Sequence, residues 1–219
     1  MQYTLTRNVK KLSAGQVVYS AMCYDNGCMV DDGTLLKFGQ DNFRWVGGQE
    51  YGGEWLKEQA KKKNFKVWVK SSTDQIHNIA VQGPNSRKIL KKFVWTPDTQ
   101  PSIDDLQWFR LTIARIDSVT GTPIVISRTG YTGELGFEIW CHPKDASTVW
   151  DKVWEAGTEA DLRVLYAEDV KIWGPGDDEA GTMDDEVGGM LWWQENFDIS
   201  ITNMDPATPD IIQYKGEKG

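Results

Sequence analysis

The chain has 219 residues, 40% of them hydrophobic, which is enough to bury the core of one large domain or two small ones. Its apolar runs are far too short to cross a membrane, and the first residues lack the apolar stretch of a secretory signal. The three cysteines form no Cys-x-x-Cys pair and there are only two histidines, so we expect no metal site and a reduced, cytoplasmic protein.

The net charge of −8 is concentrated near the C-terminus. Residues 1–157 carry 20 Lys and Arg against 17 Asp and Glu, a net charge of +3, whereas residues 158–219 carry 4 against 15, a net charge of −11. An acidic segment of this kind is a poor partner for nucleic acid. The mildly basic remainder could attract a small polyanion.

The N-terminal part of the chain is predicted to form three strands and a helix. Residues 16–25, 28–38 and 43–48 are rich in strand formers and are separated by Asp-Asn-Gly and Gly-Gln-Asp-Asn, which favour turns. Residues 51–63 follow the periodicity of an amphipathic helix and end in lysines, which suit a helix C-terminus.

Short strands and two further helices are predicted next. The strands are expected at residues 65–69, 77–81, 109–116, 123–127 and 137–141. A short helix should begin at Pro84-Asn85, and a longer one should cover residues 144–156 with Val149, Trp150, Val153 and Trp154 facing inward. This mixture of antiparallel-looking pairs and single helices predicts an α+β architecture, with mixed or antiparallel sheets and flanking helices. The pattern fades from Thr158, so we place a domain boundary near residue 157.

A glycine-rich segment, SRTGYTGELGFEIW (residues 127–140), runs directly into a predicted strand that carries Glu138. A phosphate-binding glycine loop precedes a helix and often carries a Gly-Lys-Ser or Gly-Lys-Thr sequence, so nucleotide binding is not favoured here. A tight turn that brings the backbone close to a flat ligand, with Tyr131 and Phe137 as apolar walls, is one interpretation. A surface hairpin with solvated Glu134 and Glu138 is the other.

A second candidate acid lies in the segment NGCMVDDGT. Asp31 and Asp32 are adjacent, so on a strand they point to opposite faces, and one can be buried while the other is in water. Asp31-Asp32-Gly33 is also a common turn sequence. The local sequence leaves both interpretations open.

Together these segments resemble the glycine-cleavage T-protein family, the folate-dependent aminomethyltransferases and their demethylase relatives. The resemblance covers residues 4–157 and is carried by four segments in the family's order and spacing: LTRNVKKLSAGQVVYSAM, NGCMVDD, IAVQGPNSRKIL and SRTGYTGELGFEIWCHPKDASTVWDKVWEAG. It implies a T-protein-like folate-binding core over residues 1–157 that is incomplete at its N-terminus. Residues 158–219 are then a divergent acidic segment with only a faint echo of the family.

The resemblance also implies roles for individual residues. Glu138 corresponds to the family's pteridine-binding glutamate, Tyr131 to the tyrosine that lies against the folate, and Asp31 to the catalytic aspartate near the reactive nitrogens of tetrahydrofolate. Lys171 is the nearest equivalent of an arginine that contacts the folate, although lysine lacks its bidentate geometry. Residues 81–84, Val-Gln-Gly-Pro, match a structural turn beside the pocket.

The implied function is tetrahydrofolate-dependent transfer of an aminomethyl or methyl group. The donor would be a small molecule or a lipoyl carrier protein, with neither nucleic acid nor membrane as a partner. The sequence Trp45-Val46-Gly47-Gly48 replaces an asparagine of glycine-cleavage members and favours the demethylase-like branch. A non-catalytic folate-binding module, or an inactive fragment of such an enzyme, is the alternative.

Overall fold

The computed structural model describes residues 1–130, 132–158 and 162, together with the backbone of two short strands near the C-terminus. The chain divides into two compact units, residues 1–162 and 163–219. In the second unit the described backbone is an antiparallel pair formed by Ile199–Ile201 and Ile212–Tyr214. The domain boundary expected at residue 157 stays a prediction.

An antiparallel three-stranded sheet forms the N-terminal part of the first unit. Strands β1 (Gln16–Cys23), β2 (Met29–Lys37) and β3 (Phe43–Gly47) are neighbours in that order, because short polar turns let each strand fold back on the one before. Helix α1 (Tyr51–Lys62) follows and packs on one face of this sheet. Between them lies a cluster of buried apolar side chains: Leu5, Val9, Met22, Val30, Leu35 and Leu56.

A five-stranded antiparallel sheet forms the rest of the first unit. In spatial order its strands are β4 (His77–Gln82), β8 (Gly136–Cys141), β7 (Pro123–Ser127), β6 (Leu111–Ile116) and β5 (Val94–Trp95). Helices α2 (Ser86–Leu90) and α3 (Ala146–Gly157) pack on one face of it. Because successive side chains of a strand alternate between faces, every second residue points to these helices. This set includes Ile79, Val81, Ile124, Ile126, Phe137 and Ile139.

The two sheets meet through the faces that their helices leave uncovered. Val17 and Leu36 of the first sheet are buried in one cluster with Leu111 of the second, and Val125 packs against it. The backbone reinforces the contact, since Val17 N donates a hydrogen bond to Phe109 O at 2.8 Å. The helix-free faces of the two sheets therefore come together at this cluster, which we call the inter-sheet cluster.

The α+β architecture predicted from the sequence is confirmed, with antiparallel sheets and flanking helices. The strand predicted at residues 65–69 is wrong. Phe65, Val67 and Val69 are spaced as in a strand, but Val67 is 63% exposed and Trp68 is 84% exposed. Only Val69 of this segment packs against the core beneath α1, and the segment pairs with no strand among the described residues.

Helix α3 buries a narrower stripe than the sequence predicted. Val149 and Val153 face the sheet, as expected, but Trp150 and Trp154 are 41% and 47% exposed. Each lies one position beyond a buried valine, which rotates it by roughly 100° away from the sheet. No helix in the described part of the chain is long and apolar enough to cross a membrane.

Candidate functional site

The glycine loop, residues 128–135 between β7 and β8, is tied to strand β4 by the side chain of Gln82. Gln82 Nε2 donates to the carbonyl of Phe137 at 3.1 Å and to that of Thr129 at 3.4 Å. A Cβ atom on Gly130 or Gly136 would overlap the Gln82 amide. A side chain at either position would therefore have to displace the Gln82 amide from its hydrogen bonds.

The tip of the loop needs glycine for a different reason. Gly133 has φ of +72° and nothing within 4 Å of where its Cβ would be, so backbone conformation and not crowding selects it. The hydroxyl of Thr132 donates to Gln82 Oε1 at 3.4 Å and holds this end of the loop to the same amide. Tyr131, which the sequence places against the ligand, lies outside the described residues, as does Lys171.

The base of the loop is anchored on its other side by Arg128. Its backbone makes two hydrogen bonds to the segment that precedes β6: Arg128 N donates to Arg110 O at 2.8 Å, and Arg128 O accepts from Phe109 N at 3.0 Å. Burial lowers the pKa of the Arg128 guanidinium, and the positive charge of Arg87 lowers it further. Its side chain donates to Leu106 O at 3.3 Å. The strand end that leads into the loop is thus held by both the backbone and the side chain of Arg128.

Glu138 lies on the helix-free face of β8, one residue after the buried Phe137. Its carboxylate accepts a hydrogen bond from Asn78 Nδ2 at 3.1 Å and a second from the hydroxyl of Thr129. The first contact engages Oε1 and the second engages Oε2, so each oxygen has one protein donor. The half-buried Glu138 is therefore a held carboxylate and not the freely solvated acid of a surface hairpin.

Behind Glu138 lies a buried row of hydrogen-bonding side chains. The hydroxyls of Thr129 and Ser127 are 2.7 Å apart, and Trp140 Nε1 donates to Ser127 Oγ at 3.0 Å. Thr129 is 5% exposed and Ser127 is 1% exposed. The alternation along β7 and β8 puts Ser127, Glu138 and Trp140 on one face, so these contacts follow directly from the strand register.

Asp31 is buried on the face of the first sheet that α1 covers, opposite the inter-sheet cluster. It pairs with Met22 and is 4% exposed. Its carboxylate accepts from Trp45 Nε1 at 3.0 Å and from the backbone N–H of Gly48 at 3.2 Å. A Cβ on Gly52, at the start of α1, would overlap this carboxylate, so the acid fills the space between the sheet and the helix.

Asp32 points the other way, as neighbouring residues of a strand must. It is half-buried, pairs with Ala21, and accepts a hydrogen bond from the hydroxyl of Tyr19. Tyr19 itself is 49% exposed. Asp32 is therefore accessible in a way that Asp31 is not.

The two acids that the sequence selected, Asp31 and Glu138, are not brought together. Asp31 faces the core beneath α1, whereas Glu138 lies on the face that carries Val125. The acid that shares a side with Glu138 is Asp32, because it lies on the same face of β2 as Leu36, and Leu36 and Val125 belong to the inter-sheet cluster.

The cavities found in the described part of the chain lie away from these acids. One, of about 230 Å³, is lined by residues around Gly15, Gln100 and Leu111, and another, of about 310 Å³, lies near Met1 and Phe43. Neither includes Asp31, Asp32 or Glu138. Glu138 lies half-buried on the sheet face that carries Val125 and meets the inter-sheet cluster.

Sequence reasoning missed Asn78 and Thr129 as parts of this site, and it gave Gln82 only as part of a structural turn beside the pocket. The signal was present, since Asn78 and Gln82 alternate with Ile79 and Val81 along β4 and so share one face. The sequence could not show which strand lies beside that face, because β8 begins at Gly136, 54 positions after β4 ends at Gln82.

Residues 1–170 match the family model described as the GCVT N-terminal domain. The chain belongs to this family. A solved structure similar to this chain is the glycine cleavage system aminomethyltransferase T from Bartonella henselae. The TM-score is 0.53 and the sequence identity is 22%, and the match covers 69% of this chain and 38% of that one. At that identity the likeness concerns the fold alone.

Curated relatives include longer proteins of two kinds. The chain is 58% identical over 167 residues to the trimethylamine-oxide aldolase of Ruegeria pomeroyi, covering 76% of this chain and 21% of that protein. It is 38% identical over 168 residues to the aminomethyltransferase of Alkaliphilus metalliredigens, covering 75% and 43%. It is 37% identical over 217 residues to that of Pseudothermotoga lettingae, covering 94% and 56%. The chain thus spans between about a fifth and just over half of these relatives.

Proposed function

We propose that this chain is the folate-binding part of a tetrahydrofolate-dependent one-carbon transferase, in which a methyl or aminomethyl group is passed to the cofactor. The observation that carries the proposal is the presentation of Glu138. Its carboxylate is fixed by Asn78 and Thr129 on a sheet face that meets a second sheet carrying another acid.

The acceptor positions that remain free on the Glu138 carboxylate match the donors of the cofactor. A carboxylate offers about four acceptor positions, and Asn78 and Thr129 use one on each oxygen. One position on each oxygen remains, which suits a ligand edge with two parallel N–H donors, such as the ring N–H and exocyclic amine of a pteridine. In this proposal Tyr131 lies against the ring and Lys171 attracts the cofactor's anionic portion.

We assign the catalytic carboxylate to Asp32, although the resemblance alone suggested Asp31. Asp32 shares the inter-sheet side with Glu138 and is held by Tyr19, whereas Asp31 is 4% exposed and faces the core beneath α1. When bound, tetrahydrofolate supplies the ring nitrogens that accept a one-carbon unit. A fixed carboxylate near them would orient the donor and stabilise positive charge as the unit arrives.

A methylated amine or amine oxide is the donor that we favour. The relative that is 58% identical is named for trimethylamine oxide. By the resemblance, the chain also has Trp45-Val46-Gly47-Gly48 where glycine-cleavage members carry an asparagine. An aminomethyl group on a lipoyl carrier protein is the second candidate, supported by the relatives named aminomethyltransferases. The free cysteines suit a cytoplasmic enzyme.

Titration with tetrahydrofolate under anaerobic conditions tests the proposal, with Glu138→Gln as the variant and Glu134→Gln as the matched control. Glu134 lies on the same loop but is exposed, and no ligand role is proposed for its side chain. We expect Glu138→Gln to weaken tetrahydrofolate binding by about tenfold, because the side-chain NH₂ of glutamine would face an N–H donor of the ligand. Glu134→Gln should bind like the wild type.

A single-turnover assay of one-carbon transfer from trimethylamine oxide or a methylated amine then distinguishes an active transferase from a non-catalytic folate-binding module. Transfer supports the enzyme, and its loss in Asp32→Asn supports the assigned acid. Tight binding without transfer from any donor identifies a folate-binding module. A wild-type chain with no measurable affinity for tetrahydrofolate overturns the proposed function.

A further inference from the structure

We infer that Trp140, Ser127 and Thr129 form a hydrogen-bond relay of fixed direction that positions the Glu138 carboxylate for its ligand. Ser127 and Thr129 are then positioning residues, because they act through Glu138 and contact no ligand themselves. The inference rests on the proposed function, since it assigns the groups that orient the carboxylate in the same site.

The direction of the relay follows from its two ends. An indole N–H can only donate, so Trp140 donates to Ser127 Oγ, and a carboxylate can only accept, so Thr129 donates to Glu138. Thr129 has one hydroxyl proton, which is used on Glu138, and it must therefore accept at its own oxygen. Ser127 supplies that proton across the 2.7 Å contact between the two hydroxyls.

The reverse direction is blocked by the indole. If the carboxyl group donated to Thr129, the proton of Thr129 would turn to Ser127 and that of Ser127 would face Trp140 Nε1, which cannot accept. Ser127 has no other acceptor in the described part of the chain. The indole thus fixes Glu138 as the acceptor of this row.

Burial holds the hydrogen bonds of the relay in a single arrangement. Ser127 is 1% exposed, Thr129 is 5% exposed and Trp140 is 8% exposed. Water cannot readily replace a missing member at this depth, so the loss of one hydroxyl leaves its neighbours unpaired. The consequence for function is that Glu138 Oε2 keeps one defined direction toward the ligand, with Asn78 fixing Oε1.

The first part of the test needs no ligand. The indole ¹H–¹⁵N signal of Trp140, assigned by its loss in Trp140→Phe, reports on the far end of the row. We expect Ser127→Ala and Thr129→Val both to move this signal and to speed its hydrogen exchange, and Thr129→Ser to restore it. Thr112→Val is the matched control, because Thr112 is equally buried, donates to Pro101 O at 2.8 Å and lies on the opposite face of the sheet.

The second part measures the dissociation constant of tetrahydrofolate for the same variants of the 219-residue chain. Thr129→Val should weaken binding about tenfold and Ser127→Ala about threefold, whereas Thr129→Ser and Thr112→Val should stay within about twofold of the wild type. A change that merely loosened the fold would act equally in Thr129→Val and Thr112→Val. Thermal unfolding of each variant confirms that it is folded, and Ser127→Ala serves if Thr129→Val is not.

The outcomes separate this inference from the proposed function. A Trp140 signal that answers to Ser127→Ala but not to Thr129→Val shows a broken row and overturns the relay. Unchanged affinity in both hydroxyl variants, with intact wild-type binding, overturns its positioning role. If the wild type does not bind tetrahydrofolate, the proposed function fails with the positioning role, while the Trp140 signal still decides whether the row exists.

Discussion

Replacing Asp31 by alanine should destabilise the fold without touching the inter-sheet side. The substitution leaves two donors without their acceptor, Trp45 Nε1 and the N–H of Gly48. A buried unpaired donor costs about 1–3 kcal/mol, and a carboxylate beside the start of a helix adds about 0.3–1 kcal/mol. Gly48 is exposed and water can partly replace the lost bond. We therefore expect the free energy of unfolding to fall by about 3 kcal/mol.

Urea unfolding, with Asp32→Ala as the matched control, measures this difference. Asp32 is the adjacent residue, and it holds only the half-exposed Tyr19, so its loss should cost less than about 1 kcal/mol. The slope of the unfolding curve should be the same for both variants, and Asp31→Ala should lower the melting temperature by roughly 6–12 °C. The order reverses in the transfer assay, where Asp32→Ala should be the impaired variant. Equal destabilisation by the two substitutions would refute the assignment of opposite roles.

Three further predictions concern the loop, the cysteines and the surface. Gly136→Ala should destabilise the chain by about 2 kcal/mol and Gln82→Ala by about 1 kcal/mol, but the double variant should cost less than their sum, because the methyl group then occupies the vacated space; additive losses in a double-mutant cycle would contradict the overlap. Iodoacetamide should modify the exposed Cys28 first and spare the buried Cys141, whose thiol pKa is raised by burial and then by the charge of Asp145; mass spectrometry shows the order. Because that pKa is raised in the folded state, the associated stability is full below the ordinary thiol value and is lost as the pH rises through the folded value. Trp68→Ala should leave the melting temperature unchanged within about 2 °C, since this side chain is 84% exposed; a larger fall would mean that it packs against something.

The strands and helices were largely readable from the sequence because their signals are local. Turn-forming residues separate β1, β2 and β3, and the periodicity of residues 51–63 ends within one residue of helix α1. The failures occurred where a local pattern needed a distant partner. Phe65, Val67 and Val69 are spaced as in a strand, but the segment pairs with no strand in the described part of the chain. Trp150 and Trp154 fit the helix periodicity, but they stay 41% and 47% exposed.

The candidate site was predicted in part. The sequence indicated Glu138 and the importance of the glycines, but it left open whether Asp31 and Asp32 lie on a strand, where they point to opposite faces, or in a turn. It gave no means to decide which of the two acids faces the second sheet, because that depends on the register of β1 with β2 and on the inter-sheet cluster. Tyr131 and Lys171 lie outside the described residues, and their roles stay predictions.

By itself, the sequence determined the family, the α+β class and the acid at the end of the glycine loop, because these depend on composition, periodicity and motif within short stretches. The tertiary structure alone decided why Gly130 and Gly136 are glycines, since the amide that excludes a Cβ there comes from Gln82 on another strand. It also decided the partners of Glu138, because strand pairing brings together side chains that are 60 positions apart, such as Asn78 and Glu138. A sequence states which residues alternate along a strand, but only the folded chain determines what each face meets.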